Sequence, residues 1–154
     1  MSDENLREVF KAHRTIQEKY AFFLLAGAGA AIGFALTRTQ GAELTWSQIP
    51  LAFAIICWGL SFFFGCRHLQ YVSSSLAGNI DLIKVESGTH PQTGNRADLI
   101  AAASKGIRDA LNYNSDKSNV NAKRQFRSLV IGAVFYIIWH MLEMYLRTIA
   151  PVHP

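Results

Sequence analysis

The sequence predicts an all-α integral membrane protein: a helical bundle of three transmembrane helices with long cytoplasmic helical extensions and a short cytoplasmic helix at the tip. Three observations carry this. Apolar residues are gathered into three long blocks, each block is about as long as a hydrocarbon core is thick, and the basic residues crowd into two of the segments between them. At 154 residues the chain has the length of one domain, and residues 1–154 read as a single membrane domain. With 50% hydrophobic and 17% charged residues it is too apolar for a disordered tail and too poor in charge for an ordinary soluble helical protein.

Residues 2–19 read as a cytoplasmic amphipathic helix, with Leu6, Val9, Phe10, His13 and Ile16 on one face leading to Tyr20. Ser2 or Asp3 suits its start. No breaker separates it from the first span, residues 20–37, so one helix is expected from about residue 3 to 37. The uncharged run YAFFLLAGAGAAIGFALT reaches about 27 Å at 1.5 Å rise per residue. A cleaved signal peptide fits poorly, because the preceding stretch is long and of mixed charge and the apolar run exceeds a usual signal core.

The second span covers residues 47–66, with Pro50 placed where a first helical turn needs no backbone N–H. Its helix is expected to continue inward through Leu69, Val72, Leu76, Ile80 and Ile83, a cytoplasmic seam at spacings of three and four that suits packing on a neighbouring helix. The segment from Ser87 to Asn95, rich in Gly, Pro and Asn, stops that helix. A shorter helix is expected over 97–112, started by Asn95 and Asp98, and a polar, turn-rich break over 112–119. From Val120 the chain re-enters a helix and runs into the third span, residues 128–149. Residues 67–127 thus form a cytoplasmic helical head.

Thirteen of the fifteen Lys and Arg residues lie in segments 1–19 and 66–128. The positive-inside rule therefore puts the N-terminus and 66–128 in the cytoplasm and the C-terminus outside, in a multi-pass protein of the cell inner membrane. Residues 1–19 hold four basic and four acidic groups, whereas 66–128 hold nine against five, so the net charge of +4 belongs to the second segment. Arg67, Lys123, Arg124 and Arg127 are read as lipid-headgroup contacts at the ends of spans two and three. A nucleic-acid surface would need a larger patch with interleaved aromatics, so no nucleic-acid partner is expected.

The strongest chemical candidate is the polar set His140, Glu143 and Arg147, which lies on one helical face inside the third span. Ionisable groups within a membrane are costly and often mark ion paths, relays or ligand sites, but an interhelical hydrogen bond for His140 and a local Glu143–Arg147 pair at the headgroups account for them better. Gly29 and Gly33 form a small-xxx-small pair that permits close helix contact, from which self-association is expected. Cys57 and Cys66 lack partners at metal or redox spacing and read as packing residues. No catalytic set, phosphate loop, metal pattern or cofactor motif is visible, so the protein is read as a non-enzyme without metal or cofactor; a haem would need a second histidine at the depth of His140.

Three functional readings follow, the third of them a membrane enzyme or cofactor carrier that would use His140. The first is a small homo-oligomeric channel, pore or membrane effector whose third span lines the axis through His140 and Glu143. The alternative is a non-catalytic scaffold or accessory subunit whose cytoplasmic head docks a protein partner.

Overall fold

The computed structural model describes residues 3–41 and 45–149. Three long helices make up almost all of it: α1 (Asp3–Arg38), α2 (Ile49–Glu86) and α3 (Ala97–Ile149), with a single 3-10 turn, Trp46–Gln48, leading into α2. There is no strand among the described residues. All three helices are long and apolar enough to cross a membrane.

α1 runs without interruption through both the amphipathic segment and the first span, as its lack of breakers implies. Of the expected amphipathic face, Val9 and Ile16 are exposed, and the side chains of Leu6, Phe10 and His13 lie outside the described residues, as does the cap position Ser2. Pro50 is the second residue of α2, where a helix leaves its N–H groups unpaired in any case. α2 then continues to Glu86. Its end is set by Gly88, whose φ of +68° only glycine adopts freely. Behind it, the N–H groups of Thr89 and His90 both bond the carbonyl of Lys84.

The short helix at the tip is not a separate element. α3 is one helix of 53 residues, and the expected break over 112–119 does not occur. The physical reason lies in the register. Half-buried and buried positions of α3 fall at 104, 107, 111, 114, 118, 121 and 125, spacings of three and four, so Asn114, Ser118, Asn121 and Gln125 occupy the packed row of a continuing helix. Polar residues of this kind lower helix propensity by only a few tenths of a kcal/mol each, about 0.5 kcal/mol, and no Gly or Pro stands between Gly106 and Gly132 to stop the helix. Asn121 donates to the carbonyl of Lys117 one turn back, at 2.7 Å.

The chain divides into two compact units. The first, residues 1–65 and 124–154, contains α1, the start of α2 and the end of α3. Its buried positions are Ala21, Leu24, Ala28 and Ala35 on α1, and Leu51, Ala54, Trp58 and Ser61 on α2. On both helices they recur at three, four or seven residues, the periodicity of helices crossing at a shallow angle. Most are small, which lets the backbones approach. Trp58 is the bulky exception and fits because α3 offers Gly132: a Cβ there would stand 2.6 Å from the indole and 3.1 Å from the carbonyl of Ala54. Tyr136 packs on Trp58 at 5.7 Å and on Trp139 at 5.4 Å between ring centres. Lower in the same unit, the Ser61 hydroxyl donates to the carbonyl of Gln125 at 2.9 Å in a fully buried position.

The second unit, residues 66–123, is a helical hairpin of the end of α2 and the start of α3. Its packed row on α2 is His68, Val72, Ser75, Gly78, Leu82 and Val85. His68 Nδ1 lies 2.9 Å from the Ser118 hydroxyl, and Gly78 makes room for Leu111, which a Cβ would meet at 3.1 Å. Near the turn, Arg108 pairs with Glu86 at 2.6 Å on the surface.

The close fit at Gly132 yields a contrast between two glycines. Gly132→Val should lower stability in detergent by about 1–3 kcal/mol through overpacking, whereas Gly27→Ala, with nothing within 4 Å of its added Cβ, should not lower it. Thermal unfolding followed by helical circular dichroism measures both, and equal effects would contradict the packing described.

Candidate functional site

The polar groups of the third apolar block lie near the C-terminal end of α3, in the first unit. They do not act as one set. Glu143 turns toward its own chain: its Oε1 accepts a hydrogen bond from the Ser47 hydroxyl at 2.8 Å, and Ser47 in turn shares a 2.8 Å hydrogen bond with Thr45. On its other side, Oε2 stands 3.8 Å from Arg147 Nε. The Glu143 side chain is 23% exposed and that of Arg147 83%, so the ion pair is loose while the serine contact is sheltered. His140, one turn before Glu143, is exposed, with Trp139 beside it at 6.4 Å between rings.

Ser47 is the partner that the sequence did not reveal. It lies 96 residues from Glu143 and belongs to the 3-10 turn that leads into α2. Its only local sign is a cluster of hydroxyls, Thr45 and Ser47, just before a helix-starting proline. Arg38, Gln48, Tyr136, Trp139 and Met144 join His140, Glu143 and Arg147 around a cavity of about 220 Å³.

The other singled-out residues fall elsewhere. Gly29 and Gly33 face away from the rest of the chain, for a Cβ at either would meet nothing within 4 Å. In the second unit, Leu69 and Val72 are half-buried against α3, whereas Leu76, Ile80 and Ile83 are exposed, increasingly so along the helix. The row that packs shifts to Ser75, Gly78 and Leu82, where Gly78 lets α2 approach Leu111 of α3 closely. Arg67 donates to the Tyr71 hydroxyl at 2.9 Å and lies over its ring, and Arg124 lies over the ring of Phe64. Lys123 and Arg127 are exposed. Cys57 and Cys66 are both free and half-buried.

With the geometry in place, the chain can be set beside known proteins. No family model, curated protein or solved structure matches it. The chemistry of the site therefore rests on its own residues. Glu143 is held in place by Ser47, 96 residues earlier in the sequence, which makes the carboxylate a clasp between the start of α2 and the end of α3. Hydrogen bonds to a charged acceptor are about 1.5–3 kcal/mol strong, against about 0–1 kcal/mol for an exposed ion pair.

Ser47→Ala should therefore destabilise the folded chain by about 1–3 kcal/mol and Arg147→Ala by less than about 1 kcal/mol. Unfolding of the two variants in the same detergent measures the difference; a reversed order would remove Glu143–Ser47 as the clasp.

Proposed function

We propose that the protein is a small multi-pass inner-membrane protein that self-associates and serves as a non-catalytic scaffold or accessory subunit, with the helical hairpin of residues 66–123 in the cytoplasm as its docking element. One observation carries the reading: the large apolar side chains of the long helices face outward, while Ser61 and Glu143 are hydrogen-bonded inside the chain. Phe22, Phe23 and Phe34 on α1, Phe53, Ile56 and Phe63 on α2, and Ile131, Val134, Ile138 and Met141 on α3 are all half exposed or more, or close to it. Only 6% of the most apolar stretch of α3 is buried. Such a surface belongs against lipid or against other copies of the chain.

A water-filled pore needs a polar row along one helix face, and the outward positions of the three apolar stretches supply none. Glu143 is taken up by Ser47, which leaves His140 as the observation that favours a channel. Self-association is supported by the open Gly29–Gly33 face: small residues at a spacing of four permit close backbone approach, and none of the described residues makes it. Docking is supported by the exposed row Leu76, Ile80 and Ile83, whose exposures rise from 42% to 48% and 67% along the hairpin. The distribution of Lys and Arg supports the inward placement of this hairpin.

Protein purified in neutral detergent should be a dimer or larger by light scattering, and Gly29→Ile with Gly33→Ile should shift it toward monomer. The same protein in liposomes should leave proton and potassium leak at the level of empty vesicles. A leak abolished by His140→Ala would replace the scaffold reading with the channel, and a monomer unaffected by either glycine substitution would remove self-association.

A further inference from the structure

We infer that the cavity at the ends of α1 and α3 is a binding site for a phosphate group, and that the group it takes is the phosphodiester of an anionic phospholipid. The lining carries Arg38, Arg147 and a single carboxylate, Glu143, so its formal charge is two positive against one negative, a surplus of one. A phosphodiester carries one negative charge and matches it. Glu143 is not bonded to Arg38: its Oε1 accepts from Ser47 and its Oε2 stands 3.8 Å from Arg147 Nε.

Several donors at this cavity lack acceptors among the described residues. Arg38 makes no hydrogen bond or ion pair among the described residues, and its guanidinium rests over the Phe34 ring at 5.5 Å. The Trp139 indole N–H is buried with no acceptor. The Gln48 side-chain amide also lines the cavity without a partner among the described residues. Of these only the Trp139 N–H is buried, where an unpaired donor costs about 1–3 kcal/mol; the exposed Arg38 and half-buried Gln48 are free to turn to an anion in the cavity. Two guanidinium forks suit tetrahedral oxyanions, which they can hold by paired hydrogen bonds.

The surroundings favour a lipid as the source of the phosphate. Met144 lines the cavity, and Met141, Ile137 and Phe34 next to it are exposed by half or more, a surface on which acyl chains can lie once the headgroup is seated. A volume of about 220 Å³ holds a glycerophosphate headgroup and leaves the chains outside. The lipid source rests on the proposed membrane placement; the phosphate chemistry of the cavity does not.

The test is native mass spectrometry of the full chain in neutral detergent, titrated with phosphatidylglycerol, with diacylglycerol of the same chains, and with inorganic phosphate as competitor. Phosphatidylglycerol should bind at least about tenfold more tightly than diacylglycerol, and Arg38→Gln with Arg147→Gln should weaken it by about tenfold. Trp139→Phe, which removes the donor and keeps the ring, should weaken it about two- to tenfold, and Lys105→Gln in the second unit should leave it unchanged. Lipid that resists millimolar phosphate supports the phospholipid source, and lipid displaced by it supports the phosphate site with a soluble anion as occupant. Equal binding of the two lipids, or full binding by the arginine variant and by Trp139→Phe, overturns the site. Should the double arginine variant fail to keep its helical circular dichroism, the two single variants and Trp139→Phe decide. If the protein proves soluble without detergent, the membrane placement fails, while the inorganic phosphate arm still reads the cavity.

Discussion

The structure depends on the close approach of helix backbones along rows of small and polar residues. On α1 and α2 those rows are built from Ala28, Ala35, Ala54 and Ser61, and on α3 from Gly132 and Gln125. Inside a hydrocarbon layer there is no hydrophobic gain in bringing apolar helices together, so contact energy has to come from packing and from hydrogen bonds across the interface. Small residues supply the first by shortening the distance. Ser61, bonded to the carbonyl of Gln125, supplies the second. A consequence is that the bulky side chains have no room inside and turn outward, the reverse of the arrangement in a water-soluble bundle.

The hairpin of residues 66–123 uses the same rows with more polar members. Gly78 against Leu111 and His68 against Ser118 hold its two helices together, and Val85 closes the end near the turn. Its outward face is a mixture of charge and branched apolar residues. At the far end of α3, Glu143 clasps Ser47 and stands 3.8 Å from Arg147, while Arg38 at the end of α1 makes no ion pair among the described residues. Ser61 and Glu143 thus bond across helices, whereas Arg38 and the Trp139 N–H have no hydrogen-bond partner among the described residues.

Much of the architecture was readable before any coordinates. Three apolar blocks, a proline in the first turn of α2 and a Gly-rich turn after Glu86 are local signals, and each corresponds to an element or an end in the structure. The continuity of α3 was not readable in the same way. Asn112, Asn114, Ser115, Asp116 and Asn119 look like a turn when propensity is read alone, yet Asn114, Ser118 and Asn121 are the contact row of a helix whose fate is decided by its partner. Hydropathy picked Leu76, Ile80 and Ile83 as a seam, but the residues that let α2 approach α3 are the small ones between them. At the candidate site, the spacing of His140, Glu143 and Arg147 was visible, whereas the partner of Glu143 depended on a contact across 96 residues that no linear pattern carries.

The central claim is that α1, α2 and α3 each cross the bilayer, so that the turn after α1 and the turn after α2 lie on opposite sides. Labelling of intact cells with a membrane-impermeant maleimide tests it most directly, using Gln40→Cys and Asn95→Cys placed singly in a chain whose Cys57 and Cys66 are changed to Ala. The account predicts that Gln40→Cys reacts in intact cells and Asn95→Cys reacts only after the membrane is opened. Equal reaction of both positions in intact cells, or of neither, would contradict it.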